Sequence, residues 1–276
     1  MVQDIFEQAK IAAEWIRTRS TLQPKLAIVL GTGLDALSSQ FEKHFEVSYT
    51  EIPHFKQSTV EGHRGAYMEG LWEGKPVIIL AGRFHYYEGY TMQEVTFPVR
   101  VLQQLGVEIL LITNASGGTN ENFEMGDLVL VRDHINLLPE HPLRGKNDGR
   151  LGVRFPDMTN AYDKEIRKLG LEFARSENIR IHEGVYVSLQ GPNLETPAEY
   201  DFLHRIGGDL VGMSTVPEVI VARHAGIRLA VLSVISNVCY PPDRIQETSG
   251  EDVVNVVKEN THKAIRVIQH LVQKLA

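Results

Sequence analysis

Six short apolar runs recur along this chain: 25–30 (KLAIVL), 76–81 (PVIILA), 107–113 (VEILLIT), 127–131 (DLVLV), 184–189 (GVYVSL) and 228–236 (RLAVLSVIS). Runs of this length read as buried strands. Helical spacing of apolar residues fills several of the gaps, over 4–18, 93–105, 161–178 and 197–206. Strands alternating with helices predict an α/β fold on a largely parallel sheet. A final helix is predicted behind Ser249. That residue stands three before Asp252, as in a capping box, and Val253, Val257, Ala264, Ile268, Leu271 and Leu275 share one face. No Gly/Ser-rich or Pro-rich linker and no internal repeat divides the 276 residues, so a single domain over 1–276 is expected.

Ligands of α/β proteins collect where strands end, and several runs here end in polar residues and glycines. The densest cluster comes directly after 76–81: residues 82–90 read GRFHYYEGY. Arg83 and His85 are two apart, so in an extended segment they point the same way. The planar guanidinium fork suits an anion such as phosphate. The competing reading is a surface loop with one salt bridge. Residues 31–33 (GTG) come after the first run, and glycines there permit a tight turn beside the Thr32 hydroxyl. Gly31, Gly33 and Ala36 also fit a dinucleotide fingerprint, with Glu51 near the expected acidic position, although the residues between them form no clear βαβ unit. Further polar clusters are 59–63 (TVEGH), 114–118 (NASGG), 191–196 (GPNLET), 211–218 (VGMSTVPE) and Ser236-Asn237. Taken singly, His63 reads as structural, Glu195 as a helix first-turn carboxylate and Met213 as core.

The formal charge of −7 argues against a general nucleic-acid or membrane-surface binder. Cys239 is the only cysteine, so there is no internal disulfide and no cysteine–histidine metal spacing. The first residues form an amphipathic acidic stretch unlike a secretion signal, and no apolar run reaches the ~20 residues of a membrane span. A cytoplasmic protein without a metal is expected.

The ordered set GRFHYYEGY, NASGG, GPNLETPAE and VGMSTVPEVIVARH resembles the trimeric purine nucleoside phosphorylases, from residue 31 through 237. The resemblance implies a central mixed sheet flanked by helices, a homotrimer, and reversible phosphorolysis of purine nucleosides (inosine, guanosine and their deoxy forms) in purine salvage. Inorganic phosphate is then a co-substrate, with no metal or organic cofactor. Carried over by position, Thr32, His63, Arg83, His85, Ala115 and Ser214 bind phosphate, Ala115 through its backbone N–H. Tyr87 and Met213 hold the ribose. Glu195 and Asn237 hold the purine and, with His85, carry the catalysis. Tyr186, Leu194 and Val211 line the base and ribose region, and Phe155 reaches a neighbouring subunit's site.

The chemistry of these residue types is consistent with that assignment. Breaking a C–N glycosidic bond leaves positive charge on the sugar and negative charge on the purine, and catalysis stabilises both as they form. An ionised Glu195 accepts from N1–H of a 6-oxopurine but offers no proton to the bare N1 of adenine. The related methylthioadenosine phosphorylases carry aspartate where this chain has Asn237, and a methylthioadenosine phosphorylase is the alternative within the family. A catalytically weak nucleoside- or phosphate-binding protein is the alternative outside it. The chain departs from the family pattern at several positions. Thr32 replaces serine, Asp35 replaces glycine, Leu194 replaces an aromatic residue and Ser116 replaces alanine. Gly250 stands where the family often has a histidine that reaches the ribose 5′-hydroxyl.

Overall fold

A computed structural model describes residues 4–59 and 64–276. Strand β1 (Leu26–Leu30) runs parallel to β4 (Lys75–Ala81) on one side and to β5 (Ile109–Gly118) on the other. Two strands without an apolar run, β2 (Glu42–Ser48) and β3 (Ala66–Trp72), add antiparallel pairings beyond β4. On the other side β5 pairs with β8 (Leu210–Gly212) and with β9 (Arg228–Val238). Strand β6 (Leu128–Asn136) joins β9 to β7 (Ile181–Ser188), and β7 joins β8. The pairings β5–β8–β7–β6–β9–β5 therefore close a ring at one end of the sheet. The sheet is mixed: β2–β3, β3–β4, β5–β8 and β6–β9 are antiparallel.

Helices cover both faces. On one lie α1 (Ile5–Arg17), α2 (Met92–Leu105) and α5 (Val216–His224), which pack with the sheet around Ala12, Val99, Val219 and Val231. On the other lie α3 (Lys164–Ser176) and α6 (Gly250–Leu275), closing a second core around Leu130, Ala174, Val257 and Ile268. Helix α4 (Pro197–Arg205) packs Tyr200 and Leu203 against Val187, Val211 and Cys239.

Local sequence sets the helix starts. Thr91 with Glu94, Thr196 with Glu199 and Ser249 with Asp252 each form a reciprocal capping box. Asp163 caps α3, so that helix is shorter than the 161–178 expected from spacing. Two strands run further than expected. The polar cluster 114–118, expected after the strand's end, is the last half of β5, in register with β9 up to Gly118 opposite Val238. Strand β6 likewise continues past 131 to Asn136.

Candidate active site

Among the described residues, a cleft opens where several of these strands end. Its wall combines residues after β1 (Gly31, Thr32), after β4 (Arg83, His85, Tyr87), in β5 (Asn114–Gly117) and around β8 (Val211–Ser214), with Leu194, Glu195 and Tyr200 from the α4 approach and Ser236 and Asn237 from β9. Small residues let these strands converge. A Cβ on Gly31 lies 2.5 Å from the Thr113 carbonyl, and one on Gly117 lies 2.7 Å from Cys239 Sγ. Gly191 adopts φ +69°, where a side chain also meets Met213 Sδ at 2.3 Å.

The dinucleotide reading of residues 31–36 does not survive this geometry. That motif requires the turn to open directly into an α-helix, whose N-terminus cradles a pyrophosphate. Here the turn leads into a 3-10 helix (Asp35–Gln40) and then into β2, which pairs antiparallel with β3. Asp35 is exposed and is not among the residues that line the cleft.

At one end of the cleft Arg83 is 4% exposed. Its guanidinium donates to Ser214 Oγ (3.3 Å), Thr215 Oγ1 (3.1 Å), Glu218 Oε2 (3.1 Å) and the Thr113 carbonyl. Burial pushes the Glu218 carboxyl up, against the pull of Arg83. Asn114 Nδ2 donates to Thr215 Oγ1 (2.9 Å), and Ser116 Oγ donates to Asn114 Oδ1 (2.7 Å). The serine at 116 thus belongs to the network that fixes Arg83.

His85 is equally constrained. Its Nδ1 lies 2.9 Å from Glu88 Oε1, which also accepts its backbone N–H at 2.7 Å. Glu88 Oε2 accepts from the Thr59 N–H (2.7 Å) and hydroxyl (2.6 Å). Burial raises the Glu88 carboxyl, but the bonds from His85 and Thr59 outweigh it and bring it down to about 2. The carboxylate therefore fixes Nδ1 as the protonated nitrogen, and contact of the ring with an oxyanion runs through Nε2. Burial draws the imidazole towards its neutral form, with Glu88 opposing. Tyr87 stacks on this ring at 4.7 Å between centroids, and burial lifts its hydroxyl to about 12.

Glu195 and Asn237 line the same cleft. Burial pushes the Glu195 carboxyl up, while its own backbone N–H and the Tyr200 hydroxyl pull it down. Asn237 Nδ2 donates to Cys239 Sγ at 3.1 Å, and its Oδ1 accepts from Ser236 Oγ at 2.8 Å.

The cleft thus unites Thr32, Arg83, His85, Tyr87, Ala115, Leu194, Glu195, Val211, Met213, Ser214 and Asn237. Two of the expected residues do not line this cleft, Phe155 among them, which is expected at a neighbouring subunit's site. Tyr186 does not reach the cleft wall: it is fully buried, with its hydroxyl 2.2 Å from where a Cβ on Gly212 stands. Phe155 is 86% exposed and does not line this cleft. His63 lies outside the described residues. Sequence reasoning assigns no part to Glu88, Thr215, Glu218, Tyr200 or Cys239. Glu88 carried a visible signal, a carboxylate three residues after His85. The others gain their partners only when α4, α5 and β9 converge.

Comparison with known proteins places this arrangement. The model of the phosphorylase superfamily matches residues 25–273. Purine nucleoside phosphorylase 1 of Geobacillus stearothermophilus is 46% identical over 265 residues, covering 96% of each chain. Purine nucleoside phosphorylase 1 of Bacillus subtilis is 51% identical over 226 residues, covering 82% of this chain and 83% of the relative. Among solved structures, isoform 2 of purine nucleoside phosphorylase from Schistosoma mansoni, in complex with cytosine and ribose-1-phosphate, superposes with a TM-score of 0.93. It is 38% identical and the match covers 98% of this chain and 97% of that one. The chain therefore belongs to the phosphorylase superfamily and, within it, to the purine nucleoside phosphorylases.

Proposed function

We propose that the cleft catalyses reversible phosphorolysis of 6-oxopurine nucleosides, giving a free base and (deoxy)ribose 1-phosphate. The observation that carries this reading is the union, in one cleft, of Arg83, His85 and the Ser214 hydroxyl, groups suited to an anion, with the Glu195 carboxylate and the Asn237 amide. The Schistosoma relative holds ribose 1-phosphate, the sugar product of this reaction.

Phosphate lies against Arg83, the Thr32 and Ser214 hydroxyls, the backbone of Ala115, and His85, with His63 completing the set. A neutral His85 with its proton on Nδ1 accepts from the P–OH of monohydrogen phosphate at Nε2. A phosphate oxygen then bonds to the anomeric carbon as the C–N bond breaks. The bonding electrons leave with the purine, and the phosphate's proton ends on the departing base. Fixing nucleophile and nucleoside together removes a large entropic part of the barrier. Asn237 Nδ2 donates to N7 as that nitrogen gains electrons, and Glu195 accepts from N1–H. Tyr87 and Met213 hold the ribose, and Leu194 and Val211 give the base apolar contact. Tyr186 supports this wall from behind Gly212.

The exposed Phe155, on a loop with Val153 also 65% exposed, supports its role as an aromatic lent to a neighbouring subunit in a homotrimer. No helix among the described residues is long and apolar enough to cross a membrane. Together with a single cysteine this supports a cytoplasmic setting. The test is base release from inosine, adenosine and methylthioadenosine at fixed phosphate. Inosine is expected to be the strongly preferred substrate. Preference for methylthioadenosine overturns the base-site roles, and no turnover of any of the three overturns the reaction.

A further inference from the structure

Helix α5 begins with a threonine three residues ahead of a glutamate, Thr215 and Glu218. The same spacing forms reciprocal capping boxes at Thr91–Glu94 and Thr196–Glu199. Those two threonines hold the extended backbone usual ahead of a helix, at φ −65° and −71°, and their hydroxyls accept from the third helical N–H. Thr215 does neither. Its backbone stands at φ +71° and ψ −57°, and its side chain makes no bond to the start of α5. The Val216 N–H donates to the Ser214 carbonyl at 2.8 Å, which closes a γ-turn on Thr215. A positive φ is unfavourable for a β-branched residue, and such strain persists only where the surroundings over-determine it.

Here the surroundings are groups of the cleft. Thr215 is 1% exposed and does not line the cleft, but Ser214 beside it does. The Thr215 Oγ1 accepts from Arg83 at 3.1 Å and from Asn114 Nδ2 at 2.9 Å. The Ser116 hydroxyl holds that amide by donating to its Oδ1 at 2.7 Å. A guanidinium and an amide nitrogen only donate. The proton of Thr215 is therefore left for Ser214 Oγ, 3.1 Å away. Ser214 Oγ accepts in addition from Arg83 at 3.3 Å, which leaves its own proton for the cleft. The Ser188 hydroxyl donates to the Ser214 carbonyl at 3.2 Å and gives the turn a further anchor.

We propose that Thr215 is a positioning residue for phosphate: its hydroxyl, withheld from capping α5, fixes the Arg83 guanidinium and makes Ser214 a donor towards the anion. This rests on the phosphate-binding roles proposed above. Glu218 shares the arrangement, since its Oε2 accepts from the same Arg83 nitrogen at 3.1 Å. The start of α5 forgoes a side-chain cap. What the site gains is a guanidinium and a hydroxyl already aimed before the anion arrives, so less ordering is left for the binding step.

The test is steady-state kinetics, varied in phosphate and separately in inosine, for wild type, Thr215→Val, Thr215→Ser, Thr215→Gly and Ser214→Ala. Valine keeps the shape of threonine and lacks the hydroxyl. Thr215→Val is expected to raise KM for phosphate roughly 10-fold or more, the scale of a hydrogen bond to a charged group, and to move KM for inosine much less. Thr215→Ser keeps the hydroxyl and is expected to restore most of the phosphate affinity. If the valine variant does not fold, Thr215→Gly carries the same readout, since glycine accepts the positive φ without strain and also lacks the hydroxyl. A KM for phosphate unchanged without the hydroxyl, a serine variant as impaired as the valine one, or equal rises in KM for both substrates overturns the role of Thr215. Two controls separate this from a failure of the proposed function: base release by wild type must depend on phosphate, and Ser214→Ala must raise KM for phosphate. If either control fails, the phosphate-site reading fails and the positioning role with it. If both hold while KM for phosphate ignores the Thr215 hydroxyl, only the positioning role has failed.

Discussion

Replacing Glu88 with glutamine tests how His85, proposed above to contact phosphate, is held. The side chain is 1% exposed and takes four hydrogen bonds, two from His85 and two from Thr59. Glutamine keeps one carbonyl oxygen and turns an NH2 group towards donors it cannot satisfy. Holding the carboxyl at about 2 instead of its ordinary 4.5 is worth at most ~3 kcal/mol near neutral pH. Glutamine keeps part of these contacts, so the expected loss is roughly 1–2 kcal/mol. The native carboxyl is depressed, so its contribution is full above the unfolded value of ~4.3 and fades as pH falls towards 2. Glu88→Gln is therefore expected to melt a few degrees lower at pH 7, at ~2–4 °C per kcal/mol, with the gap closing in acid. Loss of the carboxylate also frees the His85 tautomer. A 10- to 100-fold fall in kcat/KM is expected, by analogy with removal of the hydrogen-bond partner behind a metal-bound imidazole, with most of it in KM for phosphate. Steady-state kinetics varied in phosphate and then in inosine, with melting curves from pH 3 to 8, measure both effects. An unchanged KM for phosphate, or a gap constant down to pH 3, refutes the role of Glu88.

Glu195→Gln is expected to cut kcat/KM for inosine by ~10²-fold or more, on the scale of a lost transition-state hydrogen bond; assays on purified variant at saturating phosphate decide it. Asn237→Asp is expected to shift preference towards 6-aminopurine nucleosides, and a fall on inosine with no gain on adenosine contradicts the acceptor argument. Position 250 supplies no side chain at the 5′ end, and a Cβ there meets nothing within 4 Å, so packing does not force the glycine. Cleavage of 5′-deoxyinosine is accordingly expected to be nearly as efficient as that of inosine, and a large drop in kcat/KM for the deoxy compound removes that inference.

The interior of the fold was legible because buried strands are continuous apolar runs. Strands β1 and β4 sit where their runs lie, with polar clusters after their ends. The edge was not legible. Strand β2 is mostly exposed and charged (EKHFEVS), and β3 carries Glu69 and Gly70 inside it. Gly70 is needed because a Cβ there lies 2.1 Å from the Glu42 carbonyl. Helix α5 is buried on nearly all sides, so it has no polar face to give it a period, and Pro217 at its start reads as a turn. At the site, the strand-end residues could be found because glycines and polar groups interrupt apolar runs. Thr215, Glu218 and Cys239 could not, because each acts on a residue brought near by the fold of the sheet and its helices. Glu218 reaches Arg83 across 135 positions. Leu194 and Gly250 stood out only as departures from the family pattern.

The central claim is that phosphate, held at the Arg83–His85–Ser214 end, is the nucleophile. The direct measurement is hypoxanthine release from inosine with and without added phosphate, with ribose 1-phosphate quantified in the same samples. The account predicts no appreciable release without phosphate, and one ribose 1-phosphate for each hypoxanthine with it. Release that is independent of phosphate and yields free ribose contradicts it, since water is then the nucleophile and the anion-binding end has another purpose.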